Sequence, residues 1–335
     1  KGFNDYTNTA FFTRVIDGRT FGERLRDELK TPPDAKLFLT GHSLGGAVAT
    51  LLGTRLMALG VPSNQLEIIT FGAPAAGNAR FARPYGDALP LDRVVIDGDP
   101  IKMILQSLPH GYAQFGATTE WARNENSDHL HHEMFVYADA AVRNFYDQKA
   151  AAEKRGEDTT TYHAEPPVQS AVYVMPMTIA VDKKIRNDLP YMKLILRDAL
   201  KNRLSGVVFS ERSQETLAEA CEAAQKAGCH YILREDFTGK RRKDENYNFL
   251  MSMQEEIYDT DGRTLSVQDA NTDTRLITPL EAFLYDQTLM RERREQLLVK
   301  KDIPQPKLQL EGMKETAATA KNPVEEQGKI NNETH

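Results

Sequence analysis

The apolar residues of this chain keep changing period along its length. Phe21, Leu25 and Leu29 recur every four residues, which predicts an amphipathic helix over 20–30, broken by Thr31-Pro32-Pro33-Asp34. A short apolar run over 36–40 then reads as a strand. A helical pattern over 44–59 follows, stopped by Gly60 and Pro62. Further strand-like runs cover 65–70 and 93–96, and a helix is predicted over 138–147. Strands alternating with helices imply a parallel sheet in an α/β layer, with functional residues at the carboxyl ends of its strands.

The stretch 148–170 turns polar, with Lys154-Arg155-Gly156-Glu157-Asp158 and Pro166-Pro167, and reads as an interdomain linker. A second α/β unit begins beyond it. Strands are predicted over 171–181, 206–209 and 229–234, and helices over 191–204 and 213–227. Two alternating runs, 248–258 and 265–272, flank the hairpin signal Asp261-Gly262. Thr278, Pro279 and Glu281 start a last helix, with a threonine cap and a glutamate three residues on. The expected organisation is an α/β-hydrolase-like domain over 1–147, a linker over 148–170, a smaller αβ domain over 171–302 and a disordered tail over 303–335.

Composition narrows the classes. The 335 residues carry a net charge of −6, which argues against a nucleic-acid partner. No apolar run approaches the ~18 residues of a membrane span; 172–181 is too short and contains Pro176. Two cysteines, Cys221 and Cys229, are expected as buried thiols rather than a disulfide framework. The chain starts at Lys1-Gly2-Phe3 without methionine. The natural N-terminus is therefore expected upstream, and a missing targeting segment carries no weight.

The chemistry concentrates in Leu37-Phe-Leu-Thr-Gly-His-Ser-Leu-Gly-Gly46, where a strand stops, a serine follows between glycines, and a helix begins. That is a G-x-S-x-G nucleophile elbow. A sharp turn lifts the Ser43 hydroxyl above the sheet, and side chains at 41 and 45 are expected to collide there. The helix start favours developing negative charge, with the Leu44 amide as an oxyanion donor. A serine needs a base, and the base an orienting carboxylate. Asp99 follows a predicted strand and is preferred over Asp97 because Pro100 stiffens its turn. For the base, His129, His131 and His132 cluster in Ser127-Asp-His-Leu-His-His-Glu-Met134, ahead of His110, His163 and His42. A metal reading of Asp128, His129, His131 and His132 lacks a His-Glu-x-x-His spacing, so no metal and no cofactor is expected.

Five blocks in order resemble the fungal-type (class 3) lipase family over about 1–145: Gly2-Phe3, GHSLGGAVATLL over 41–52, TFGAPAAGN over 70–78, GDPI over 98–101, and LPHGYAQFG over 108–116 with Trp121. The resemblance implies Asp99 as the acid, although Lys102 stands where that family usually has proline. It implies His132 as the base, followed by Met134 and Tyr137, or alternatively His129 within Asp128-His129-Leu130. The implied activity is carboxylic ester hydrolysis of the triacylglycerol lipase type. A phospholipase A or short-chain esterase is the alternative within that class, and a catalytically silent lipid- or envelope-partner-binding protein the alternative outside it. In that family the second oxyanion donor, the lid and early strands precede the Gly-Phe block, so the chain by itself is expected to be weakly active. Residues 171–302, through Ala227-Gly-Cys-His-Tyr-Ile-Leu233 and the hairpin, resemble the αβ domain of TolB-like and curli-export-type envelope lipoproteins. That implies contact with a membrane surface or envelope partner, and a bacterial envelope or secreted setting.

Overall fold

The computed structural model describes residues 2–15, 17–101, 111–124, 130–159, 167–243 and 248–298. The predicted disordered tail, His110, His129 and His163 lie outside the described residues.

Among the described residues the chain builds a four-stranded sheet, a six-stranded sheet and a two-stranded pair of Gly77–Asn78 with Tyr112–Ala113. The first is all parallel, in the order β1 (Leu37–His42), β2 (Leu66–Phe71), β3 (Leu91–Ile96) and β4 (Ala117–Trp121). Each strand adds on the same side of the last. Helix α1 (Gly2–Phe12) and helix α2 (Phe21–Glu28) precede it, and helix α3 (Leu44–Ala58) connects β1 to β2. Thr20 and Glu23 close a capping box that starts α2 within the predicted window. α3 buries Ala47, Ala49, Leu51 and Leu56, and packs closely because Gly53 lies against Ile68. A parallel sheet whose first strand runs through a serine turn into a helix is the α/β-hydrolase-like layout.

The second sheet is mixed. β5 (Val168–Val174) lies between β7 (Leu204–Phe209) and β8 (Tyr231–Arg241), all three parallel. β9 (Phe249–Asp259) and β10 (Thr264–Asp273) continue antiparallel, and β6 (Thr178–Val181) pairs the far half of β8. Its faces are covered differently. Helix α5 (Leu189–Arg203) and helix α7 (Pro279–Leu298) pack on the face of Val172, Val174 and Leu233, while helix α6 (Leu217–Lys226) packs on that of Tyr173 and Ile232.

Several element boundaries differ from expectation. The run 171–181 is two strands, because Pro176 has no N–H for the ladder and the chain re-enters further along β8. The helix at 213–227 begins only at Leu217, where Thr216 and Glu219 close a capping box. β4 was not foreseen, since Ala117-Thr-Thr-Glu-Trp121 carries no apolar run. The largest difference is at the linker. Helix α4 (Met134–Lys154) runs through 148–154 and β5 takes up 168–170, so neither end of 148–170 is linker. The polar residues there form the solvent face of a helix rich in alanine.

α4 also serves both sheets. Val136, Tyr137 and Ala140 pack against Val94 and Ile96 of the first, and Tyr146 joins the core of the second. Arg143 on α4 donates to Asp139 at 2.6 Å and to Asp188 at 2.5 Å, and Lys149 reaches Asp198 at 2.8 Å. Both cysteines are free thiols, Cys229 buried and Cys221 partly so. Among the described residues no helix is long and apolar enough to cross a membrane.

Under α7 lies a buried polar layer. Arg294 donates to Glu235 at 3.1 Å and to Glu255 at 2.6 Å, and Asp286 accepts from Thr272 at 2.6 Å. Burial, with Glu255 beside it, pushes the Glu235 carboxyl up, and burial pushes Asp286 up to about 6. A carboxyl raised on folding contributes stability that is full below its ordinary value and lost as the pH climbs through the raised one. Asp286→Asn should therefore gain stability relative to the parent between about pH 4 and about pH 7, by up to about 3 kcal/mol. Urea unfolding at both pH values measures it.

Candidate active site

The elbow is a strained turn held by close backbone packing. Ser43 has φ 55° and ψ −124°, and among the described residues it is the only non-glycine with positive φ. Such a conformation costs on the order of 1–3 kcal/mol and persists only where its surroundings enforce it. Here the Ser43 amide donates to the Phe71 carbonyl at 2.9 Å, tying the turn to the end of β2. A Cβ on Gly41 would fall 2.3 Å from the Gly45 carbonyl carbon, and one on Gly46 would fall 2.6 Å from the Ala73 Cβ. The expected collision at Gly45 is not found. An added Cβ there meets nothing within 4 Å, because the crowding involves the backbone of Gly45.

The structure brings Ser43, His132 and Asp99 into one line. Ser43 Oγ lies 2.8 Å from His132 Nε2, and His132 Nδ1 lies 2.9 Å from Asp99 Oδ2. The second contact requires the Nδ1–H form of the ring, which leaves Nε2 to accept from the serine hydroxyl. Each group comes from a different element. Ser43 ends β1, Asp99 follows β3, and His132 sits just ahead of α4. Asp99 is 2% exposed. It also accepts the Ile101 amide at 2.8 Å and the Tyr137 hydroxyl at 2.5 Å. Asp97 is exposed, and its amide donates to the Trp121 carbonyl, away from His132. His131 lies over Gly98, with its Nδ1 buried and unpaired. Leu44 is the first residue of α3, so its amide is one of those a helix leaves without an internal acceptor.

Three residues around this line were not read as part of it. Tyr137, besides donating to Asp99, accepts the Ile96 amide at 3.2 Å; burial, with Asp99 beside it, pushes its phenol up. His42, ranked behind the 129–132 cluster as a base, donates from Nε2 to the His132 carbonyl at 2.8 Å, with the two rings 4.7 Å apart. Burial lowers the His42 pKa, so the ring is held neutral and must carry its proton on Nε2 to make that contact. Gly72 has φ 56°, and a Cβ there would lie 2.8 Å from Asp99 Oδ2 and 3.1 Å from His132 Nδ1. The family resemblance places Tyr137 shortly after the histidine without a role, and nothing local signals His42 or Gly72.

The family model described as lipase (class 3) matches residues 7–107. That part of the chain, under a third of it, is similar to the class 3 lipase family. A lipase of Caenorhabditis elegans is 42% identical over 67 residues, 19% of this chain and 19% of its own. Secreted mono- and diacylglycerol lipase A of Penicillium cyclopium is 39% identical over 61 residues, 18% of this chain and 19% of its own. The crystal structure of a lipase from Rhizopus microsporus var. chinensis shares 30% identity, with a TM-score of 0.30, over 39% of this chain and 42% of that one. The chain thus spans about a fifth of the length of the curated relatives it matches. The class 3 lipase match contains Ser43 and Asp99 and stops short of His132, whose place rests on geometry alone.

Tyr137→Phe removes one donor from Asp99 and leaves the buried Ile96 amide without an acceptor. It should lower stability by about 1–3 kcal/mol. Denaturant midpoints at constant slope are the check.

Proposed function

We propose that the chain carries a lipid carboxylic ester hydrolase site in which Ser43 is the nucleophile, His132 the general base and Asp99 its orienting acid. The observation that carries this reading is the unbroken hydrogen-bonded line from Ser43 Oγ through the His132 ring to Asp99. In the first step Ser43 Oγ attacks the ester carbonyl carbon while His132 Nε2 takes the hydroxyl proton. The carbonyl oxygen becomes an oxyanion beside the Leu44 amide and the positive end of α3. Collapse expels the alcohol, protonated by His132, and leaves an acyl group on Ser43. Water, deprotonated by the same histidine, then releases the acid. Asp99 holds the ring in the Nδ1–H form and stabilises the imidazolium between the two transfers.

Apolar side chains next to these residues support an acyl-chain substrate. Leu44 is 39% exposed, Met134 49% and Leu130 71%. Mono- and diacylglycerols, named for the Penicillium relatives, are the first substrates to try, and the word secreted in those names supports export of this protein.

A fluorophosphonate probe should label the full chain on Ser43 and fail on Ser43→Ala. Ser43→Ala, His132→Ala and Asp99→Asn should each lower hydrolysis of a p-nitrophenyl ester by about 10⁴-fold. His129→Ala and His131→Ala should stay close to the parent. Loss of activity in His129→Ala with retention in His132→Ala would overturn the histidine assignment, and an unlabelled parent would favour a silent scaffold.

A further inference from the structure

One end of the second sheet gathers cations without matching carboxylates. β8 ends at Arg241 and β9 begins at Phe249, and Lys240, Arg241, Arg242 and Lys243 are all exposed there. Lys240, Arg241 and Lys243 border an open hollow of about 520 Å³, with Ala180 and Val181 of β6 and the following Asp182 on its other side. The carboxylates beside them are in use. Asp182 accepts the Lys184 amide at 2.9 Å. Asp273, at the end of β10, takes the Arg275 guanidinium at 2.8 Å and stands 3.9 Å from that of Arg242. Lys240, Arg241 and Lys243 have no ion pair among the described residues. Asp244 and Glu245 follow outside the described residues, yet the run 240–245 stays net positive with both counted.

Apolar surface adjoins this charge. Lys240 sits opposite Leu250 in the β8–β9 ladder, and Leu250 sits opposite Asp273 in the β9–β10 ladder. Side chains directly opposite share a face, so the lysine and the leucine are immediate neighbours. Leu250 is 39% exposed, and Leu276, next to Arg275, is 77% exposed. A lone exposed leucine is ordinary on a protein surface. Leucines set among unpaired cations are the composition that rests in a bilayer interface, where cations meet headgroup phosphates and apolar side chains enter the acyl boundary. A nucleic acid would use the cations and leave the leucines wet. The whole chain carries a net charge of −6, so attraction to an anionic surface has to come from this end rather than from the overall charge.

We propose that this end of the second sheet docks on an anionic lipid surface, with Lys240, Arg241 and Lys243 on headgroup phosphates and Leu250 and Leu276 in the interface. Arg242 and Arg275, sharing Asp273, add to the positive field. Because the attraction is between exposed charges, it falls with ionic strength. Docking does not depend on the chemistry at Ser43.

Vesicle co-sedimentation tests it, on the full chain carrying Ser43→Ala so that hydrolysis cannot alter the lipid. The vesicles are phosphatidylcholine alone, or phosphatidylcholine mixed equally with phosphatidylglycerol. The protein should partition onto the mixed vesicles at least about 30-fold more strongly, and raising salt from about 0.1 M to about 0.5 M should remove most of that preference. Lys240→Gln, Arg241→Gln and Lys243→Gln together should weaken binding to the mixed vesicles by at least about 10-fold. Leu276→Ser should weaken it about 3- to 10-fold. Removing the same charge from exposed positions elsewhere, by Lys193→Gln, Lys201→Gln and Lys226→Gln together, should leave binding close to the parent. Equal partition onto both vesicles, a 240/241/243 variant that binds like the parent, or equal losses in the two triple variants overturns the proposal. So does binding of a single-stranded oligonucleotide without binding of vesicles, which would place a nucleic acid at this end instead.

Discussion

Everything at the first site depends on one buried carboxylate. Asp99 receives the His132 ring, the Tyr137 hydroxyl and the Ile101 amide, and these donors arrive from both sides of a gap of more than thirty residues. A carboxylate taken out of water must be matched by donors, or its burial costs several kcal/mol. Meeting that demand locks the end of β3 to the start of α4. It also fixes His132, because the same helix that presents Tyr137 to Asp99 begins one residue beyond the N-cap Glu133.

The nucleophile side is held by different means. Ser43 sits in an unfavourable backbone conformation, and the restraint is steric and backbone-based: bare glycine at 41 and 46, and the bond from the Ser43 amide to β2. Gly72 belongs to both halves. It follows β2 and leaves room for the Asp99–His132 hydrogen bond, so strand end and hydrogen-bonded pair meet across a position where any side chain would intrude. His42 closes the arrangement by gripping the backbone of His132 rather than its ring.

α4 explains why the two sheets are not independent modules joined by a tether. Its first turns complete the core under β3, and its later turns complete the core of the second sheet through Tyr146. The Arg143 pairs with Asp139 and Asp188 are largely buried, so they resist screening more than a surface bridge would. The polar stretch looked like a linker because a helix with one wet face and a strand start with few large residues share the composition of a tether.

The elbow, the α/β alternation, the hairpin at Asp261-Gly262 and the cap at Thr278 could all be read from the sequence. Each is local: a glycine where backbones touch, a threonine three residues before a glutamate, an apolar period. Asp99 was preferred from its place after a strand and from Pro100 beside it. Which histidine meets it was not decidable locally, since His129, His131 and His132 share one polar segment of the sequence. The roles of Tyr137, His42 and Gly72 and the division of 171–181 at Pro176 all involve partners far apart in the chain. Short-range chemistry therefore determined which elements form and which serine stands at a turn; long-range packing decided which side chains meet, because burial and distance exist only once the sheets have closed.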